Sequence, residues 1–356
     1  MKDHSPSIPA AFYGKLRTAA LLLTFAFAFP LFMVCCGSGG KTGNAGKDTL
    51  PADLKAIDEQ IEKDPANASL YVKRAEYFFL KKRMDSVVND MTRAIKLDPG
   101  NAAYHMKLSD YYFMMNRTRG TRDELVLATK SDPKNTEAFL KLGELYYLVK
   151  NYDSAVYYIN RSISIDAENP KAYFEKGMAL KETGDSANAA AAFQSAVERD
   201  PKYYDAFIQL GKIYGAHKDA LAVQYLDNAL QLKPNSGEAY YFLGLYYQNT
   251  KDVKNAVDTY NKLLQQAPND PLAKYAIYNI GFVKLILENN PKEAKGYFDK
   301  SFNLDPEYAD AIYMRGVCYE KMGDKKNAAA DFNAAIVIDP EHQLALNGLR
   351  RLSGKK

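Results

Sequence analysis

Between residues 68 and 342 the apolar positions fall at helical rather than strand spacing. One stretch shows the pattern. Phe139, Leu142, Gly143 and Tyr146 follow one another at offsets of three, one and three, then Ala155, Ile159 and Ser162 at four and three. Each half predicts one amphipathic helix of about 13 residues. The polar stretch Lys150-Asn151-Tyr152-Asp153 separates them and supplies side chains able to accept from the free N–H groups of the second helix.

The pattern repeats. Proline stands at Pro65, Pro99, Pro133, Pro201, Pro234, Pro268, Pro306 and Pro340, with gaps of 34, 34, 68, 33, 34, 38 and 34. The gap of 68 is two periods, with Ala167 at the missing step. Asp64, Asp98, Asp132, Asp166, Asp200, Asp305 and Asp339 precede this position. A fixed period in this range means stacked supersecondary units. It overrides the two or three globular domains that 356 residues would otherwise suggest.

Three columns hold through the units. The first helix, helix A, has a small residue at Ala75, Ser109, Gly143, Gly177, Gly211, Gly244, Gly281 and Gly316. The second, helix B, has Ala155, Ala189, Ala222, Ala256, Ala294 and Ala328, with Val87 and Thr121 as departures. Four residues on comes bulk: Met91, Leu125, Ile159, Phe193, Leu226, Tyr260, Phe298 and Phe332. Two helices approach closely only where one offers a small residue to the other's bulk. These columns resemble the tetratricopeptide repeat (TPR). The resemblance implies an all-α, right-handed TPR superhelical solenoid of eight helix-turn-helix units, 68–101, 102–135, 136–169, 170–203, 204–236, 237–270, 271–308 and 309–342. Amphipathic segments at 51–67 and 343–356 are expected to cap the open ends.

Three units depart from the pattern. The second has Asn116-Arg117-Thr118-Arg119-Gly120 and Thr121 in place of a turn and Ala, which predicts a weaker helix B. The fifth is one residue short at Gly215–Asp219. The seventh runs 38 residues, with Pro271 and Pro291 bracketing a helix A that is expected to be longer by a turn.

The N-terminus has another character. Lys15 and Arg17 precede the uncharged run Thr18–Val34, which reads as a secretory signal over residues 1–35. Its end, Met33-Val34-Cys35-Cys36-Gly37, resembles a bacterial lipobox, which implies lipidation of Cys36, with Cys35 the alternative. Residues 36–50 are Gly-rich and predict a flexible tether. Gly40-Lys41-Thr42 has Cys35 where a phosphate-binding loop needs its first glycine, so no nucleotide site is expected there.

Composition narrows the chemistry. The net charge is +4, and the part after Cys35 is nearly balanced, unlike a nucleic-acid binder. Three cysteines, two of them adjacent, exclude a disulfide framework or a four-ligand zinc site. His4, His105, His217 and His342 have no ligand-spaced partners, and His105 and Cys318 fall in packing positions of helix A. No nucleophile–base motif is present. An enzyme, a metal, a cofactor and a small-molecule substrate are therefore not expected.

The TPR resemblance implies that helix A lines a concave peptide groove. The residue after the helix A aromatic is Val72, Met106, Leu140, Phe174, Ile208, Tyr241, Tyr278 and Tyr313. Four residues on stand Glu76, Asp110 and Glu144, and seven on Phe79, Phe113 and Tyr147. These predict an aromatic stripe beside an acidic ladder in the first three units. The acids stand where a carboxylate-binding groove would need Lys and Asn, so an acidic C-terminal peptide is not the expected ligand. Asp-Ser or Asp-Thr before an aliphatic residue resembles the O-glycosylation signal of Bacteroidota envelope proteins. It occurs at Asp48-Thr49, Asp85-Ser86, Asp153-Ser154 and Asp185-Ser186; Thr49 is the favoured site, and the others sit where helix B caps fall. The expectation is a lipid-anchored scaffold for a protein partner, at the outer membrane facing the periplasm. Inner-membrane anchoring is the alternative location. An outer-membrane assembly or secretion subunit, or an adaptor of peptidoglycan hydrolases, is the alternative role.

Overall fold

The computed structural model describes residues 52–354. Among them lie eighteen α-helices and one π turn, and no strand. Eight helix pairs follow one another: Ala68–Leu80 with Met84–Leu97, Ala102–Met114 with Thr118–Ser131, Thr136–Leu148 with Tyr152–Ile165, and Pro170–Glu182 with Ser186–Arg199. Then come Tyr204–Ala216 with Leu221–Leu232, Gly237–Asn249 with Val253–Gln266, Ala273–Phe282 with Pro291–Leu304, and Ala309–Lys321 with Lys325–Ile338. Ala52–Lys63 precedes them and Gln343–Leu352 follows. Residues from Ala56 onward form one compact unit. The all-α repeat architecture expected from the period is the one the chain adopts.

The turn between helices A and B has one construction. A single residue takes a left-handed backbone: Lys82, Asn116, Lys150, Gly184, Lys218, Lys251, Asn289 and Gly323, with φ between 53° and 83°. At Lys150 this lets Lys150 N donate to Tyr147 O and Asn151 N to Tyr146 O, both at 2.9 Å. Two otherwise orphaned carbonyls are satisfied and the chain reverses within three residues. The four lysines there carry a cost of about 1 kcal/mol each relative to glycine. Asn151, Asp185, Asp252 and Asp324 then cap helix B by accepting from a backbone N–H. At the other end the Asp-Pro step acts twice. The proline cannot continue the helix, and Asp132, Asp200 and Asp339 accept from the N–H two residues on at 2.9–3.0 Å.

Helix A and helix B meet at the small-residue column. A Cβ on Gly211 would lie 2.5 Å from Leu226 Cγ, and one on Gly177 2.6 Å from Phe193 Cε1. The eight bulky partners from Met91 to Phe332 are at most 1% exposed. A further small column joins successive units: Ala138, Ala172, Ala206, Ala239, Ala276, Ala311 and Ala345 are fully buried. Helices A of neighbouring units touch, the third with the fourth, the fifth with the sixth and the sixth with the seventh. Helices B have no comparable contact with one another, so the row of helices A is the inner wall of the stack.

The flanking helices continue this register. Arg74 grips Asp90 with two bonds at 2.7 and 2.8 Å and reaches back to Asp58 in the leading helix at 2.7 Å. Arg315 does the same with Asp331 and Asp299 at 2.7 Å. Asp58 thus occupies the place that Asp299 holds in helix B of the seventh unit. The leading helix stands where the helix B of a preceding unit would stand, and Ile57 lies one period before Met91.

The departing units differ from expectation in detail. The second unit's helix B is as long as those of the first and third units, and the hydroxyl of buried Thr121 finds a partner inside the helix, donating to Arg117 O at 3.2 Å. The fifth unit loses its residue at the start of helix B, which begins at Leu221, with Asp219 accepting from Leu221 N. The seventh unit has one residue more than the usual twelve between Gly281 and Ala294. In an α-helix that insertion would turn everything beyond it by about 100°. Instead Val283–Leu287 form a π turn, with Glu288 N donating to Val283 O at 3.1 Å, so Gly281 and Leu285 both face inward. The expected extra α-turn is a π turn for this reason.

Gly211→Leu is expected to force the fifth pair apart, at a cost of about 1–3 kcal/mol or more. In a nearest-neighbour stack the damage stays local. Hydrogen exchange will show faster exchange in the fifth unit and its neighbours. Uniform loss from Leu70 to Leu349 would contradict a repeat stack.

Candidate functional site

The inner wall is built from three helix A columns, and they differ in what they expose. In the first, Val72 and Phe174 are half-buried, while Met106, Leu140, Ile208, Tyr241, Tyr278 and Tyr313 are buried. Tyr278 packs at 5.4 Å from the Phe298 ring and 5.3 Å from Tyr308, and Tyr313 at 5.6 Å from Phe332. This column lies at the seam between a unit's own helix B and the next unit. Its tyrosines therefore serve the core more than the wall.

The second column is open where the first is closed. Phe79, Phe113 and Tyr147 are half-buried, Phe79 against Tyr111 at 5.1 Å and Tyr147 against Tyr152 at 5.8 Å. The next residue in each helix is Leu80, Met114 and Leu148, exposed by 72%, 43% and 36%. Large exposed apolar side chains thus recur as the last residue of helix A in three successive units, a ledge repeated along the wall. In the fourth unit the same two positions are Lys181 and Glu182, and the ledge ends there. The exposed row was missed in the sequence, although its 34-residue spacing is as regular as that of Phe79.

The third column carries the acids, and each has a basic partner in the next unit. Lys107 bonds Glu76, and Lys141 Nζ lies 2.7 and 3.0 Å from the Asp110 carboxylate oxygens. Burial raises the Asp110 carboxyl above its ordinary range in spite of Lys141. Lys107 and Lys141 are one period apart, so they form a ladder of ion pairs that ties unit to unit. Two of the three acids are spent on structure.

One period on, the lysine position holds Glu175. Glu144 therefore faces a second carboxylate. Lys171, one helical turn earlier, compensates it, its Nζ 2.6 Å from Glu144 Oε1. That oxygen is shut off from solvent and has no hydrogen bond of good geometry. Burial first, then the charge of Glu144, pushes the Glu175 carboxyl up to about 7, against the pull of Lys171. Tyr203 stacks on Phe174 at 5.1 Å, and its hydroxyl is raised by burial and then by Glu175.

Family models for the tetratricopeptide repeat match residues 136–169, 170–203, 215–277 and 309–342. The chain is a tetratricopeptide repeat protein. Over 187 residues it is 28% identical to a peroxisomal targeting signal receptor of Komagataella phaffii, a match covering 51% of this chain and 32% of that protein. Over 191 residues it is 22% identical to anaphase-promoting complex subunit 3 of Schizosaccharomyces pombe, covering 53% of this chain and 28% of that one. The chain thus spans about a third of the length of these curated relatives. Among solved structures, the C-terminal part of a TPR repeat-containing protein from Cytophaga hutchinsonii is similar at TM-score 0.58 and 20% identity, over 68% of this chain and 99% of that one. A tetratricopeptide repeat protein from Parabacteroides merdae has TM-score 0.53 and 16% identity, over 71% and 98%. These likenesses concern the TPR fold.

The remaining expected positions divide. Cys35, Cys36, Thr49 and the tether lie outside the described residues. His105 is buried in its TPR packing position, with Nδ1 2.7 Å from Glu124 Oε2 and Nε2 3.2 Å from Pro99 O. Cys318 is buried, and burial pushes its thiol up to about 12, which leaves it protonated and unreactive at neutral pH. Of the Asp-Ser steps within the TPR units, only Asp185 is itself a cap; Asp85 and Asp153 are the second residues of helices that start after Arg83 and Asn151. Among the described residues no three side chains are grouped as metal ligands.

The raised Glu175 carboxyl has a pH signature. The folded chain holds a proton that the unfolded chain, at an ordinary value of 4.5, gives up. Stability is therefore lost as pH rises from about 4.5 through 7, and the loss is complete above that. Glu175→Gln carries no such loss. Its advantage over the wild type in urea unfolding is expected to grow by about 2 kcal/mol between pH 5 and pH 8. A constant difference across that range would refute the assignment.

Proposed function

We propose that this TPR protein is a non-catalytic scaffold that captures a segment of a partner protein along helices A of its first three units. The observation that carries this reading is the ledge: Leu80, Met114 and Leu148 project from the inner wall beside half-buried Phe79, Phe113 and Tyr147. Soluble proteins rarely expose contiguous rows of large apolar residues without a use for them. Aromatic and aliphatic anchors at regular spacing suit an extended or helical segment with apolar residues. Two curated relatives agree in kind, one being by name a receptor for a targeting signal and the other a subunit of a complex. The ion-pair ladder leaves Glu76 and Asp110 little attraction for a ligand, so apolar contact supplies most of the affinity.

The reading includes an anchor. The run Thr18–Val34 ending at Cys35-Cys36 fits a secretory signal with a lipid on Cys36, or on Cys35, and a Gly-rich tether then presents the TPR units at the outer membrane, facing the periplasm.

Replacing Leu80, Met114 and Leu148 together by Ser is expected to leave the helical circular dichroism intact, since all three are exposed. It is expected to weaken partner capture at least tenfold, about 1.4 kcal/mol. Unchanged capture, with loss on mutating the outer faces of helices B, would move the ligand off the wall. For the anchor, Cys35→Ala with Cys36→Ala will leave the chain unprocessed or released from membranes. Outer-membrane fractionation of that double variant would remove the lipid from the account.

A further inference from the structure

Beyond the small-residue column, helix A and helix B of a unit meet at a second pair of positions. In the third and fifth units two tyrosines stack there: Tyr146 on Tyr158, with ring centres 5.3 Å and planes 4° apart, and Tyr214 on Tyr225, at 5.4 Å and 18°. The sixth unit keeps the helix A tyrosine, Tyr247, but has Thr259 where Tyr158, Tyr225 and Tyr297 stand in other units. One ring of the pair is missing. At that place a cleft of about 560 Å³ opens between helix B of the fifth unit and both helices of the sixth. Its volume falls in the range of small-ligand sites, roughly 300–1,000 Å³. Tyr247 and Thr259, itself only 5% exposed, line it, and Asp227, Asp258, Asn261, Lys262 and Gln265 converge on it. Among the described residues, Thr259 and these five make no side-chain hydrogen bond within the chain. The cleft therefore joins an aromatic side chain without its stacking partner to a rim of unspent donors and acceptors.

We infer that this cleft binds a neutral saccharide, one pyranose ring taking the place of the missing tyrosine ring. A pyranose has flat C–H faces that suit an aromatic ring, and a rim of hydroxyls that both donate and accept. The amides of Asn261 and Gln265 and the hydroxyl of Thr259 also do both, while Asp227 and Asp258 accept and Lys262 donates. Two carboxylates against one ammonium leave the rim net negative, which turns away phosphorylated and sulfated ligands. A simple cation would satisfy the carboxylates and leave the amides and the Thr259 hydroxyl unanswered, a costly outcome for a group so buried. The site lies on other helices than the ledge, and neither depends on the other.

The test uses the full chain with cellotriose and tri-N-acetylchitotriose, read by saturation-transfer NMR. At least one of the two is expected to receive saturation from the protein. Thr259→Tyr restores the pair seen in the third and fifth units and fills the cleft. It is expected to raise the apparent Kd at least tenfold, with helical circular dichroism unchanged. Asp227→Ala with Asp258→Ala, both exposed in the wild type, empties the rim without filling the cleft, and a similar loss is expected. The Leu80, Met114 and Leu148 variant is expected to bind the sugar as the wild type does. Transfer to neither sugar overturns the site, and so does binding that survives in folded Thr259→Tyr. If that variant loses its helical signal, the aspartate variant decides alone, and undiminished binding there overturns the site. Displacement of the sugar by spermidine would make the cleft a cation site and overturn the saccharide.

Discussion

Each helix A in this protein lies against its helix B through a place where one side has almost no side chain. Gly177 against Phe193 and Gly211 against Leu226 leave no room for a Cβ without displacing the partner. Everything larger depends on that contact. Because the pair closes tightly, the bulky residue is fully buried inside a unit of only two helices. Because the unit is closed within itself, it needs only its neighbours to complete the core, and the fully buried alanines from Ala138 to Ala345 join one unit to the next. Insertions are tolerated only in forms that keep this contact in phase, which is why the seventh unit spends its extra residue on a π turn.

Charge has two separate uses on this frame. Arg74 and Arg315 each bind two aspartates, one on either neighbouring helix, near the two ends of the stack. Each spans three consecutive helices and holds them in register. Along the inner wall, Lys107 and Lys141 tie successive helices A together. Lys141–Asp110 and the arginine clusters are partly buried and Lys107–Glu76 is exposed, so in both settings their value lies in orienting helices more than in net stability. Where the ladder breaks, Glu175 stands in the lysine position and Glu144 pairs with Lys171 instead.

The wall is therefore uneven. Its C-terminal tyrosines are packed into the core, while its N-terminal third exposes aliphatic side chains. This gradient follows from which residues occupy a few repeated positions of helix A.

The sequence by itself determined the period, the helix pairs and the small and bulky columns. These are short-range constraints, written in residues a fixed distance apart, and a missing Cβ is visible in a sequence. It also marked Phe79, Phe113 and Tyr147, and the acids beside them. The tertiary structure decided what those positions do. Tyr241, Tyr278 and Tyr313 read as groove-lining residues and are core; Glu76 and Asp110 read as docking charges and are bonded to lysines 31 residues away. Leu80, 72% exposed, carried no mark in the sequence that separated it from the buried leucines. The reason is geometric. Whether a helix A position faces core, neighbour or solvent depends on the rotation between adjacent units, and that rotation arises from packing among side chains of three helices at once.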